Sequence, residues 1–122
     1  MKEPKTIKIE EIEYVRKDSL PVLASKLDGM KYVVVRTYSA GCFAGYLESQ
    51  KKQEVVLRDA RRLWYWSGAS SLSQLAMEGV KDPDECKFPC KVHTIKLLEA
   101  IEIIDATEEA KESIENVVIW KQ

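Results

Sequence analysis

The stretch "EVVLRDARRLWYWSGASSLSQL", Glu54 to Leu75, decides how the chain is read. It starts as a strand, because Val55, Val56 and Leu57 are β-forming residues that fit a pleated surface. It ends as a helix: Ser71 and Gln74 fit a capping box, Leu72, Leu75 and Ala76 make an apolar stripe, and Gly79 supplies the stop. Between the two lie an aromatic block, Trp64-Tyr65-Trp66, and a small-residue turn, "SGASS".

Upstream, "KYVVVRTY" (31–38) is a strongly β-branched strand. "SAGCFAGYLESQ" (39–50) reads as a glycine-containing turn running into a second strand, which "SQKKQ" joins to the Glu54 strand. These three form a meander of neighbouring strands, the third interrupted at Asp59-Ala60. Further toward the N-terminus, "TIKIEEIEYV" (6–15) alternates apolar and charged residues with a slip at Glu10-Glu11, the pattern of a bulged or edge strand. "DSLPVLASKLDG" (18–29) has a cap signal, an early proline, leucines at helical spacing and a closing glycine, which predict a short helix.

Downstream, "VKDPDECKFPC" (80–90) is loop. "KVHTIKLLEAIEIIDA" (91–106) is mostly strand by its isoleucines, although Leu97, Leu98 and Ile101 also fit a helix and periodicity does not decide. "DATEEAKESIEN" (105–116) is a short helix with Thr107 as cap and Glu108 and Glu109 in the first turn. "VVIWK" (117–121) reads as a closing strand. Strands and helices mix without βαβ alternation. The expectation is an α+β fold with a mainly antiparallel sheet and two or three short helices, in one domain spanning 1–122: an N-terminal extension, 1–29, and a core, 30–122.

Composition narrows the function. The 19 basic and 20 acidic residues leave a net charge of −1, so the chain is not a general binder of nucleic acid polymers and any anion site must be local. The charged N-terminus has no apolar h-region and no run approaches a membrane span, so a cytoplasmic protein without membrane association is expected. Cys42, Cys86 and Cys90 read as free thiols in that setting. "CKFPCKVH" adds His93, but its spacing is not that of the standard zinc modules, so no metal and no cofactor is expected.

Two blocks bear on chemistry. In "RTYSAGCFAGY" (36–46) the glycines admit either a hairpin turn with a bulge or a ligand close to the backbone, and both readings stand. Arg36 and Tyr38 share strand parity, so one can grip a phosphate while the other stacks on a base, with Ser39 and Phe43 beside them; the other reading is a surface arginine packed on a neighbouring ring. In the second block Arg58, Arg61 and Arg62 are the densest positive cluster, and arginine favours bidentate anion binding. Trp64 and Trp66 share parity with Tyr65 opposed, while Ser70 and Ser71 open a helix whose free amides suit an anion. The competing reading is structural, with the aromatic strand as core plus subunit interface. His93 is the single histidine and no catalytic motif accompanies it, so binding rather than catalysis is expected.

From Lys31 to Ile104 the chain resembles a family of small phage and prophage proteins of unknown function, on "KYVVVRTYSAGCFAGYLES", "VVLRDARRLWYWSGASSLSQLAMEGV", "KFPC" and "LLEAIEII". It is similar to the Thoeris anti-defence sponges of the first described type. That resemblance implies sequestration, without cleavage, of glycocyclic ADP-ribose signals made by bacterial TIR enzymes. It also implies a homo-oligomer, a dimer or a hexamer built from dimers, with cyclic oligonucleotides held at a separate site in some members. The rival from another class is a homo-oligomeric structural protein whose Trp-Tyr-Trp strand is only an interface.

Overall fold

The computed structural model describes residues 22–121. Five strands and two helices follow in order: β1 (Tyr32–Thr37), β2 (Cys42–Lys51), β3 (Glu54–Arg62), α1 (Leu72–Glu78), β4 (Lys91–Leu97), β5 (Ala100–Asp105) and α2 (Glu108–Asn116), with a 3₁₀ turn at Pro83–Glu85. The strands form a single sheet in the order β4-β3-β2-β1-β5, every neighbouring pair antiparallel. The fold is therefore α+β with a mainly antiparallel sheet, as expected, and the meander of β1, β2 and β3 is present.

Residues 91–106 are two strands rather than a helix, and they lie on opposite edges of the sheet. Only Leu98 and Glu99 separate them. In a flat sheet these edges would be ~19 Å apart, whereas three residues of extended chain span at most ~11 Å. The sheet must therefore curl until its edges meet. The joint is stitched on both sides: the Ala100 amide donates to the Gln53 carbonyl at the β2–β3 turn (3.0 Å), and the Tyr38 amide donates to the Glu99 carbonyl (2.9 Å). Bulges help the sheet coil. The β2–β3 register shifts twice, once beside Asp59, whose φ is 52°. Asp59-Ala60 thus bends β3 without ending it. Gly45 lies opposite, where an added Cβ would stand 3.0 Å from the Ala60 Cα.

Alternation gives the sheet two apolar faces. Val33, Val35, Phe43, Val55, Leu57, Leu97 and Ala100 fill the concave side, on which the sheet closes over itself. Tyr32, Val34, Ala44 and Tyr46 face the helices, meeting Leu63, Leu75, Ala76, Phe88 and Ile114. The Tyr32 and Tyr46 rings pack edge to face at 5.1 Å, and burial pushes the Tyr32 phenol pKa up.

Both helices are capped as the sequence implies. The Ser71 Oγ accepts from the Gln74 amide (3.1 Å), and the Thr107 Oγ1 accepts from the Ala110 amide (3.0 Å). Thr107 also joins them: its hydroxyl donates to the Met77 carbonyl (2.7 Å) and its amide to the Ala76 carbonyl (3.0 Å).

Three expectations need correction. The strand expected at 6–15 lies outside the described residues, as does the start of the helix expected at 18–29. Residues 22–30 form no helix: Leu27 and Met30 exchange backbone hydrogen bonds around Asp28 (φ 51°) and Gly29 (φ 80°). Asp-Gly with both φ positive is the two-residue turn of type I′, so Gly29 closes a turn and not a helix. The third strand ends at Arg62, so Trp64, Tyr65 and Trp66 are not on it. Tyr65 instead pairs with Lys87 across an isolated bridge. The C-terminal "VVIWK" forms only a single bridge, Phe88 to Ile119.

Gly79 closes α1 at φ 79° and ψ −155°, a region nearly restricted to glycine, and an added Cβ would sit 2.3 Å from the Ser113 Cβ. Gly79→Ala is expected to destabilise the fold by about 3 kcal/mol, from backbone strain and overpacking. Adding Ser113→Gly should recover only the overpacking part, measured against Ser113→Gly alone, which loses the hydroxyl's bonds to Val80 and puts a glycine inside α2. Urea unfolding of the single and double variants checks this.

Candidate functional site

The arginines expected to act as one cluster point to different places. Arg58 forms an ion pair with Glu48, its Nη2 2.9 Å and its Nε 3.1 Å from Glu48 Oε1. Arg36 donates from Nε to Glu102 on β5 (2.9 Å). Arg61 is 3% exposed. Its guanidinium donates to the carbonyls of Pro89 (2.9 Å), Ile114 (2.7 Å) and Phe88 (3.1 Å), and it lies 5.5 Å from the Phe88 ring centroid. Burial draws its pKa below the ordinary arginine value, yet it remains a cation at neutral pH. Arg61 is thus an internal anchor, and the expectation that it grips a phosphate is corrected.

Arg62 differs from all three. As its sequence neighbour on a strand, it faces the side opposite to Arg61. Its guanidinium lies over the Phe43 ring, 4.4 Å from the centroid, and donates from Nη1 to the Ala40 carbonyl (2.7 Å). No carboxylate among the described residues pairs with it. Stacking on a ring holds the planar group in place while its remaining donors stay available.

Arg62 therefore marks one side of the loop between β1 and β2, Tyr38 to Gly41. The loop is built by Thr37, whose Oγ1 donates to the Gly41 carbonyl (2.7 Å) and accepts from the Ala40 amide (2.9 Å). Ser39 donates to Glu99 Oε1 (2.9 Å). Tyr38, 78% exposed, presents its ring to solvent. Next to the loop, Thr37, Ala40, Lys96, Leu97, Leu98 and Glu99 line an open depression of about 350 Å³. A second one, about 310 Å³, lies across Leu98 and is lined by Lys51, Lys52, Gln53 and Glu54.

Of the residues singled out from sequence, Tyr38, Ser39, Phe43 and Arg62 come together here. Phe43 itself is buried, so it supports Arg62 and offers no face to a ligand, which corrects its expected role. Ser70 and Ser71 do not form an anion corner. Ser71 caps α1, and both the amide and hydroxyl of Ser70 donate to Gln74 Oε1 (2.9 and 2.8 Å). Gln74 thus occupies the position an anion would take. Trp64 is 62% exposed, and Trp66 is half-buried against the helix-side core.

Thr37, Lys96 and Glu99 were missed by the sequence reading. The signal available was the "LLEA" break between two β-rich runs, which places Glu99 at a strand junction. The three cysteines are free, with Cys86 buried, Cys42 half-buried and Cys90 exposed. Burial raises the thiol pKa of Cys42 and of Cys86. Among the described residues no three metal-ligating side chains cluster. No helix there is long and apolar enough to cross a membrane.

A curled five-stranded sheet, two capped helices and a loop held by Arg62 and Glu99 beside an open depression define a small α+β domain with its candidate site at a strand joint. The chain belongs to the family described as "Domain of unknown function (DUF6948)", whose model matches residues 30–114. No curated protein and no solved structure matches it.

The two adjacent arginines should separate cleanly. Arg61→Ala leaves buried carbonyls without donors and is expected to cost about 3 kcal/mol or more, whereas Arg62→Ala should cost about 1 kcal/mol or less. Thermal and urea unfolding of both variants measure the difference.

Proposed function

We propose that this protein is an anti-defence sponge: it binds an anionic cyclic nucleotide immune signal in the host cytoplasm and holds it without cleaving it. Glycocyclic ADP-ribose is the first candidate ligand and a cyclic oligonucleotide the second. The observation that carries this reading is Arg62. It is a ring-stacked guanidinium, without a carboxylate partner among the described residues, that holds Ala40, a residue of both the open depression's lining and the loop that exposes Tyr38. A guanidinium held this way suits a phosphate, and an exposed tyrosine suits a base. The depression is shallow, so a second copy of the chain would complete it.

The alternative is an interaction protein whose aromatic block serves only self-association. A specific observation favours that role for the block. Trp64, Tyr65, Val118 and Ile119 are exposed, and the Tyr65–Lys87 and Phe88–Ile119 bridges join them into one surface. Lys87 Nζ lies 6.0 Å from the Tyr65 ring and 5.8 Å from the Trp120 ring. Apolar surface of this kind is typical of an interface core.

Native mass spectrometry with a panel of cyclic ADP-ribose isomers and cyclic dinucleotides tests the sponge reading. Binding is expected, with intact ligand recovered after heating; a hydrolysed product in excess of the protein would make the protein an enzyme. Arg62→Ala should weaken binding about tenfold or more, while Arg36→Ala and Arg58→Ala change it little. If no nucleotide binds, the interaction reading stands alone. Self-association is expected under either reading. Sedimentation should give a species heavier than the 14.0 kDa chain, shifted toward the monomer by Trp64→Ala with Tyr65→Ala.

A further inference from the structure

Glu99 poses a problem for a site that only captures anions. It lines the same depression as Ala40, and its carboxylate accepts from Ser39, the neighbour of the residue that Arg62 holds. A carboxylate beside a phosphate clamp repels phosphate. Nor do the two charges cancel: the guanidinium donates to Ala40 and the carboxylate accepts from Ser39, rather than pairing with each other. The loop from Tyr38 to Gly41 is thus bracketed by one anion and by one cation that has no carboxylate partner among the described residues.

The bracket is held in place from both sides. The Glu99 carbonyl accepts from the Tyr38 amide (2.9 Å), so the residue that carries the carboxylate is tied to the loop by its backbone as well as by its side chain. Its position follows from the strand joint, because Glu99 is the last residue before β5 begins. Leu97, Leu98 and Ala40 give the depression its apolar lining, with Thr37 and Lys96, the latter 3.6 Å from Glu54, completing it.

We infer that Glu99 is a specificity-determining residue that selects ligands carrying a free ribose hydroxyl next to their phosphate. Of its two carboxylate oxygens, Oε1 accepts from Ser39, and an ionised carboxylate has lone pairs for further donors. A sugar hydroxyl supplies such a donor, and a carboxylate accepting from a ribose hydroxyl is a recurrent means of nucleoside recognition. The ligand class is therefore a ribonucleotide anion: phosphate to Arg62, hydroxyl to Glu99, ribose against Leu97 and Leu98. A bare phosphate or pyrophosphate meets the repulsion of Glu99 without the compensating hydrogen bond. The depression, about 350 Å³, is within the range of small-molecule sites.

This inference rests on the anion-binding reading of the same depression. The test is calorimetric titration of the full chain and of Glu99→Gln with glycocyclic ADP-ribose and with pyrophosphate, alongside melting curves. Glu99→Gln keeps the shape and removes the charge. It is expected to weaken glycocyclic ADP-ribose about tenfold or more while pyrophosphate binding holds or rises, with melting unchanged. Equal affinity of variant and parent for glycocyclic ADP-ribose overturns the inference and leaves the sponge reading intact. So does a proportional loss of both ligands, which would make Glu99 a brace for the loop. A parent chain that binds neither probe overturns this inference; the sponge reading falls with it only when the cyclic dinucleotides of the native mass spectrometry panel fail to bind as well.

Discussion

The buried guanidinium of Arg61 is the constraint on which the rest of the structure depends. Three carbonyls from two separate segments converge on it: Phe88 and Pro89 from the loop before β4, and Ile114 from the last turn of α2. No uncharged side chain supplies as many donors in one plane, and water is excluded at this depth. The residue therefore fastens β3 to the helical layer in a way that apolar packing alone cannot direct. Phe88, held by this contact, fills the centre of the helix-side core, and its backbone bridges to the C-terminal segment through Ile119 and Trp120.

Anchoring one face leaves the other free to curl. With β3 fixed against the helices, the sheet closes on its concave side, and the short joint at Leu98-Glu99 can pass from one edge to the other. The joint in turn places Glu99 against the β1–β2 loop, while the strand alternation that buries Arg61 sends Arg62 to the loop from the opposite direction. The candidate site is thus a consequence of topology: its cation and its anion come from distant parts of the chain and meet because the sheet cannot be flat.

Local chemistry made much of the fold legible in the sequence. The β-branched run of β1, the Ser71 cap with its Gly79 stop, and the Thr107 cap all act through neighbours a few residues away, and all hold. Asp28-Gly29 was ambiguous because a closing glycine serves a helix end and a type I′ turn equally well. The aromatic block misled for a different reason. Its period of two continues past Arg62, but its hydrogen-bond partner changes to Lys87, a non-local choice that alternation does not reveal. The site was half legible. Arg62, Tyr38 and Ser39 stood out by residue type, whereas Glu99 looked like any solvated glutamate until the joint brought it to the loop.

The division of labour between Arg61 and Arg62 shows how one strand serves structure and binding together. Adjacent residues on a strand face opposite sides, so a pair of arginines gives one charge to the interior and one to the loop. Arg61 costs desolvation, which its three carbonyls and the Phe88 ring offset; Arg62 keeps its exposure and gains rigidity from Phe43. The bulge at Asp59 is what sets this assignment. Asp59 adds a residue between Leu57 and Ala60, both of which face the concave core. Without it, the alternation beyond Leu57 would be inverted, Arg62 would turn toward the helices, and Arg61 would stand at the loop. A strained, left-handed aspartate therefore decides which arginine anchors the fold and which one holds the β1–β2 loop.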